Sequence, residues 1–142
     1  MAVFEWPIRV YIEDTDLGGI VYYANYLKFM ERGRTEWLRK LGFSQEILRQ
    51  QNCLFVVQSL QLDYKHSARL DDELLVSVEI TQLGRASMTI TQQVSRQGHC
   101  LCQGSVRIAC IQTDGKLRSL PDDIRSAVLA FMDGNQTVKE TM

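Results

Sequence analysis

The chain has 142 residues, of which 45% are hydrophobic and 23% are charged, and this predicts one domain with a sizeable core. Its 16 basic and 17 acidic residues give a formal net charge of −1, which does not favour a nucleic-acid partner. No apolar run approaches the roughly 20 residues of a transmembrane helix. The first residues lack the basic start and apolar stretch of a signal peptide, so we expect a cytoplasmic protein.

A short strand precedes an acidic turn near the N-terminus. Ile8, Val10 and Ile12 alternate with Arg9, Tyr11 and Glu13, which predicts a half-buried strand that ends where the acids begin. The turn crowds carboxylates beside two adjacent glycines, and like charges are costly there if they serve structure alone. We therefore interpret this stretch as the active site. Its acids and glycines are Glu13, Asp14, Asp16, Gly18 and Gly19.

A long amphipathic helix is predicted to begin near Tyr23 or Ala24 and to stop at Gly42. Trp37 widens its apolar face, and a short second helix capped by Ser44 is predicted to follow through Gln50. The positions at helical spacing are Leu27, Met30, Arg34, Leu38 and Leu41.

From Cys53 the periodicity changes to two residues and remains so through Ile111, in four segments joined by short links. Short links favour antiparallel hairpins. A weaker strand is predicted around Leu117, and Pro121 opens a helix that runs through Phe131. In the first segment, Gln58 is a polar exception on a face otherwise formed by Leu54, Val56, Leu60, Leu62 and Tyr64.

These elements predict an α+β fold, with one long helix on a five-stranded antiparallel sheet. We assign residues 1–133 to a single domain and residues 134–142 to a loose tail. One helix covers such a sheet incompletely, so we expect self-association into a homodimer or homotetramer.

The cysteines are interpreted as buried structural thiols. Cys100 and Cys102 share a face of one strand, and no matching pair elsewhere completes a zinc site. Free cysteine usually behaves as a small hydrophobic residue. The sequence therefore predicts no metal site and no cofactor.

The stretch from Tyr11 to Leu27 resembles the signature of the 4-hydroxybenzoyl-CoA thioesterase family, with particular similarity to the Tol-Pal-associated acyl-CoA thioesterases. The likeness returns at Phe29–Arg32, Arg34–Leu38, Leu62–Tyr64 and Ala68–Asp72. It implies the hotdog fold, in which an antiparallel sheet wraps a long helix. It also implies hydrolysis of acyl-CoA thioesters, with acyl carrier protein as an alternative thioester donor.

The resemblance places the catalytic carboxylate at Asp16 and the oxyanion donor at the main-chain N–H of Tyr23. A backbone donor at a helix N-terminus suits the charge that develops on a carbonyl oxygen. Asp16 would act as nucleophile or as general base, and a capping aspartate is the structural alternative. Asp14 is predicted to order the turn through hydrogen bonds to the amides of Gly18 or Gly19.

Three residues are further candidates for substrate contacts. His66 follows a predicted strand, where it would contact the acyl or CoA entrance or remain a surface histidine. Arg69 matches a piece of the family motif, and Arg85 lies in a region where the family's basic residues meet the nucleotide part of CoA. A solvated surface charge explains either arginine equally well. The alternative function is a non-catalytic module that binds acyl-CoA, although such a module would not need Asp16.

Overall fold

Alternating apolar residues build five strands, and the computed structural model describes them within residues 2–134. The strands are β1 (Phe4–Arg9), β2 (Leu54–Tyr64), β3 (Glu73–Leu83), β4 (Ser87–Arg96) and β5 (His99–Ile111). The helices are α1 (Asn25–Lys40), α2 (Gln45–Gln50) and α3 (Asp122–Met132).

All strand pairs are antiparallel, in the order β1-β3-β4-β5-β2. Strands β3, β4 and β5 follow one another through tight turns, whereas β2 lies at the far edge beside β5. The two edges of the sheet are therefore β1 and β2. The predicted α+β class and five-stranded antiparallel sheet are confirmed.

Helix α1 packs mainly on β1, β3 and β4. Gly33 permits the close approach, because a Cβ atom there would lie only 2.8 Å from Val76 Cγ1. Leu27 was predicted on the buried face, but it is 38% exposed. The buried face is rotated away from it and consists of Asn25, Tyr26, Phe29, Met30, Gly33, Trp37 and Leu38.

The apolar core has two clusters along α1. The first lies beneath α2 and α3, where the rings of Trp37 and Phe131 meet edge to face at 5.5 Å. The second surrounds Tyr26 and Phe29 near the start of α1. The predictions for α2 and α3 are confirmed, and Ser44 Oγ accepts a hydrogen bond from the amide of Ile47 at 3.2 Å.

Two predicted strand segments are wrong. The first strand ends at Arg9, and Ile12–Asp14 instead form a single 3-10 turn. The amide of Asp14 closes that turn by donating to the carbonyl of Tyr11 at 3.0 Å. Near Leu117 the chain makes only an isolated bridge to Ile111.

A bulge near Gln58 changes the alternation of β2 between Val57 and Ser59. The Oε1 atom of Gln58 accepts a hydrogen bond from Arg107 Nε at 3.0 Å. A bulge inserts an extra residue, so side chains before and after it exchange faces. Phe55 and Val57, rather than the predicted Leu54 and Val56, therefore lie on the helix side of β2.

The cysteines are free thiols, with Cys53, Cys102 and Cys110 buried and Cys100 half-buried. Within residues 2–134 no helix is long and apolar enough to span a bilayer. Of the predicted tail, residues 135–142 lie outside the described residues.

Replacing Gly33 with alanine should destabilise the protein. Alanine normally stabilises a helix interior by about 1 kcal/mol relative to glycine. The added methyl group would collide with Val76, however, and overpacking a core typically costs about 1–3 kcal/mol. We expect urea denaturation to give a lower free energy of unfolding for Gly33→Ala than for the wild type. In a double-mutant cycle with Val76→Ala, the two losses should sum to more than the loss of the double variant, because the smaller residue 76 relieves the collision. An equally stable Gly33→Ala variant would contradict the close packing.

Candidate active site

Asp14 connects the beginning of the acidic turn to the start of α1. Its side chain is only 2% exposed. One carboxylate oxygen accepts a hydrogen bond from the amide of Tyr11, and the other accepts one from Asn25 Nδ2, both at 2.8 Å. The predicted bonds from Asp14 to the amides of Gly18 or Gly19 are therefore wrong, because the 3-10 turn directs this carboxylate inward.

Asp16 lies two residues later and is exposed. Its Oδ1 atom accepts a hydrogen bond from the amide of Gly18 at 2.9 Å. The backbone of Asp16 closes the turn with two hydrogen bonds of 3.0 Å each. The Asp16 amide donates to the carbonyl of Ile20, and the Gly19 amide donates to the carbonyl of Asp16. The Oδ2 atom has no hydrogen-bond partner within residues 2–134, so one carboxylate oxygen remains available for chemistry.

The acidic turn is attached to the loop that follows β2. The amide of Val21 donates to the carbonyl of Ala68 at 2.8 Å, and the amide of Leu70 donates to Gly19 at 3.2 Å. Ala68 is fully buried beneath this contact. These long-range bonds bring Asp16 beside the residues that end β2.

Asp16 and the end of β2 enclose an open cleft of about 380 Å³. Tyr64 spans it, and its hydroxyl donates to the carbonyl of Tyr23 at 2.9 Å. The hydroxyl of Tyr26 accepts a hydrogen bond from the Ala68 amide at 3.0 Å. Burial raises the pKa of Tyr26 and of Tyr64 above the ordinary tyrosine value, so both hydroxyls stay protonated at neutral pH.

Tyr23 lies just before α1 and contributes to the same cleft. Its backbone N–H donates to no other group in the part of the chain that is described. An unpaired amide at the start of a helix carries partial positive charge. In such a cleft the carboxylate can attack a carbonyl carbon or activate water for that attack. The free N–H can donate a hydrogen bond to the oxyanion that results.

The other predicted residues are distributed unevenly. His66 lines the cleft beside Asp16. Arg69 bridges Ile20 through its backbone, and its exposed side chain does not line the cleft. Lys65 and Tyr64 line it as well. Neither was among the site residues predicted from the sequence, although a polar-tipped aromatic at the end of a strand was a usable signal for Tyr64.

Arg85 lies toward the other end of the sheet. Tyr64 pairs with Cys102 of β5, whereas Ser87, just after the Arg85 turn, pairs with Ala109. Seven residues of strand correspond to about 23 Å. The Nε atom of Arg85 donates to Ser119 Oγ at 2.9 Å, so this side chain does not meet Asp16 of the same subunit.

Comparison with known proteins identifies the class. The Thioesterase superfamily profile matches residues 18–103. The acyl-CoA thioesterase YbgC of Haemophilus influenzae is 42% identical over 127 residues, covering 87% of this chain and 93% of that protein. A probable thioesterase from Bartonella henselae has a solved structure with TM-score 0.82 and 35% identity, covering 84% of this chain and 100% of the other.

A 4-hydroxybenzoyl CoA thioesterase, solved with 4-hydroxybenzoyl CoA, shares the fold at TM-score 0.81 and 19% identity, covering 90% of this chain and 99% of that one. The chain belongs to the thioesterase superfamily. The resemblance and the hotdog fold predicted from the sequence are confirmed, and the protein is an enzyme of the thioester hydrolase class.

Replacing Gly19 with alanine should disturb the site through the backbone. Gly19 has a φ of 75°, and a Cβ atom there would meet nothing within 4 Å. The left-handed conformation costs other residues about 1–2 kcal/mol, so the turn that carries Asp16 should shift. We expect kcat/KM to fall by about tenfold or more, because small misplacements of reacting groups are costly.

Gly115→Ala is the matched control for Gly19→Ala. Gly115 has a φ of 91° and equally open surroundings, but it lies in the loop after β5. Both variants should lose similar stability in thermal melts, and only Gly19→Ala should lose activity per folded molecule. Normal activity of Gly19→Ala would leave this glycine with a purely structural role.

Proposed function

We propose that this protein hydrolyses acyl-CoA thioesters in the cytoplasm, with the carboxylate of Asp16 as the catalytic group and the main-chain N–H of Tyr23 as the oxyanion donor. The observation that carries the proposal is that an unpaired carboxylate oxygen and an unpaired amide line one cleft. The name of the H. influenzae relative, an acyl-CoA thioesterase, supports the choice of substrate. Acyl carrier protein is the alternative donor, because its thioester is chemically the same.

Two routes lead from this arrangement to the same products. In the first, Asp16 attacks the carbonyl carbon, the carbon–sulfur bond breaks, and CoA leaves as a thiolate that takes a proton from solvent. Water then hydrolyses the mixed anhydride and restores the carboxylate. In the second, Asp16 removes a proton from water as the water attacks, and that proton passes to the departing thiolate. The Tyr23 amide stabilises the oxyanion in both.

His66 is proposed to contact the substrate from the rim of the cleft, since it lies among the lining residues and is exposed. Arg69, outside the cleft lining, is proposed as an outer contact for the CoA part. Arg85 would serve the nucleotide part only from a second subunit, because it lies far from Asp16 in its own chain.

We further propose that the chain assembles through β2. This strand is an edge of the sheet and has 11 residues. Val56, Val57, Leu60 and Tyr64 are all more than a third exposed along it. A long, apolar edge strand presents unpaired backbone groups that favour pairing with another chain. A homodimer joined at β2, or a homotetramer of such dimers, would cover this edge.

Asp16→Asn keeps the shape of the side chain and removes its charge. We expect kcat to fall by about 10² to 10³, the loss typical for a main catalytic group. Thermal melting should change little, because Asp16 is exposed and Asn can still accept the bond from Gly18. Glu13→Gln removes a neighbouring exposed carboxylate and should leave turnover unchanged. Activity of Asp16→Asn near the wild-type level would remove Asp16 from the mechanism.

A single turnover in ¹⁸O water tests the nucleophilic route. Label in the Asp16 carboxylate would support nucleophilic attack, because water that opens the mixed anhydride at the Asp16 carbonyl carbon leaves its oxygen there. Label confined to the released acid follows from general-base catalysis and equally from opening of the anhydride at the acyl carbon, so trapping of the anhydride with hydroxylamine then separates the two routes.

Assembly through β2 is tested by light scattering at micromolar concentration. We expect at least twice the 16.3 kDa chain mass. A lysine on an edge strand opposes pairing, so Val56→Lys should shift the protein toward the monomer. Ile47→Lys changes an equally exposed apolar residue on α2 and should not shift it. A wild-type protein that remains monomeric would refute the assembly.

A further inference from the structure

A narrow groove separates α1 from the edge strand β2, because the helix packs on the opposite half of the sheet. We call it the α1–β2 groove, and its volume is about 200 Å³. An apolar groove of that size suits an acyl chain of limited length. Its walls include Leu27, Met30, Arg34, Val57, Leu60 and Leu62.

The groove continues the proposed active-site cleft on both of its walls. Leu27 in the groove lies in the first turn of α1, four residues after Tyr23 in the cleft. On β2, Leu62 in the groove shares a face with Tyr64 in the cleft. A thioester held at Asp16 can therefore extend its acyl group directly into the groove.

A half-buried cation lies in this apolar wall. The Nη1 atom of Arg34 donates to Gln92 Oε1 at 2.9 Å. Gln92 is 1% exposed, and its Nε2 atom donates to the carbonyl of Met30 at 3.0 Å, so the amide is held in a fixed orientation. This network gives the guanidinium a fixed position in the groove.

The charge of Arg34 has no ion-pair partner within residues 2–134, and its Nε and Nη2 groups make no hydrogen bond there. Burial lowers the pKa of Arg34, and the nearby charge of Glu31 offsets this only in part. Glu31 also lines the groove, but it is exposed, so solvent screens its charge. A partly buried cation is costly unless an anion pairs with it, and guanidinium binds carboxylates in a two-pronged geometry.

We propose that the α1–β2 groove receives the acyl group and that Arg34, oriented by Gln92, binds a carboxylate at the far end of that group. Thioesters of dicarboxylic acids are then better substrates than alkyl thioesters of equal length. Asn25, at the start of α1, and Arg34 are about 14 Å apart along the helix axis, and side chains of a helix lean toward its N-terminus, where the cleft lies. The distance from the thioester carbon to the Arg34 guanidinium is therefore shorter than this axial separation, which suits acyl groups of medium length. This inference rests on the proposed function.

The test compares CoA thioesters matched in carbon number: glutaryl with valeryl, and adipyl with hexanoyl. We expect wild-type kcat/KM to favour the carboxylate member of at least one pair by about 10- to 100-fold, the range of a charge-assisted bond. Arg34→Met should abolish that preference, with the ratio of kcat/KM within each pair falling to about one. Arg34→Lys should retain part of it, because a single charge remains. Lys28→Met removes another exposed cation of α1, outside the groove, and should keep the full preference.

Binding to the Asp16→Asn variant separates this inference from the proposed function. Calorimetry with adipyl-CoA and hexanoyl-CoA should show the same preference without turnover. If the wild type hydrolyses no thioester but Asp16→Asn binds adipyl-CoA more tightly than hexanoyl-CoA, the proposed function fails and the role of Arg34 stands. If the wild type hydrolyses both members of every pair equally well, the role of Arg34 fails and the proposed function stands. A preference that survives Arg34→Met would also overturn the role of Arg34. If Arg34→Met does not fold, the comparison of substrate pairs on the wild type still tests that role.

Discussion

The site depends on the two hydrogen bonds that the buried carboxylate of Asp14 accepts. A carboxylate removed from water is costly unless its oxygens are hydrogen-bonded. Here the two oxygens join Tyr11, which precedes the 3-10 turn, to the first residue of α1, Asn25. The start of a helix also favours negative charge. With both ends of the turn held, Asp16 is directed outward into the cleft, and the Tyr23 amide stays available beside it.

The second constraint is the one-sided packing of α1. Gly33 lets the helix approach β3 closely, while β2 lies at the opposite edge of the sheet. The helix therefore leaves a groove along β2 and an open cleft at its own N-terminus. A thioesterase needs both features, because the thioester carbon must meet the reacting groups while the acyl chain is removed from water. The one-sided packing of α1 therefore creates both the groove and the cleft.

Edge strand β2 serves both the site and the proposed assembly. Its end supplies Tyr64, which holds the Tyr23 carbonyl, and its middle supplies a wall of the groove. The bulge at Gln58 gives this strand its inner face, because Val57 before it and Leu60 after it both reach the groove. A second copy paired on β2 would lie beside the cleft, which connects self-association with substrate binding.

The sequence by itself determined the helices α2 and α3, the five-stranded sheet, the acidic turn and the family, because these depend on local periodicity and on one long motif. The tertiary structure alone decided which partners Asp14 has, that Arg34 is half-buried beside Gln92, and that Arg85 lies far from Asp16. These contacts join residues that are 11, 58 and 34 positions apart. Periodicity records only which face of an element is apolar, whereas the partner of a polar side chain is chosen by how the elements pack.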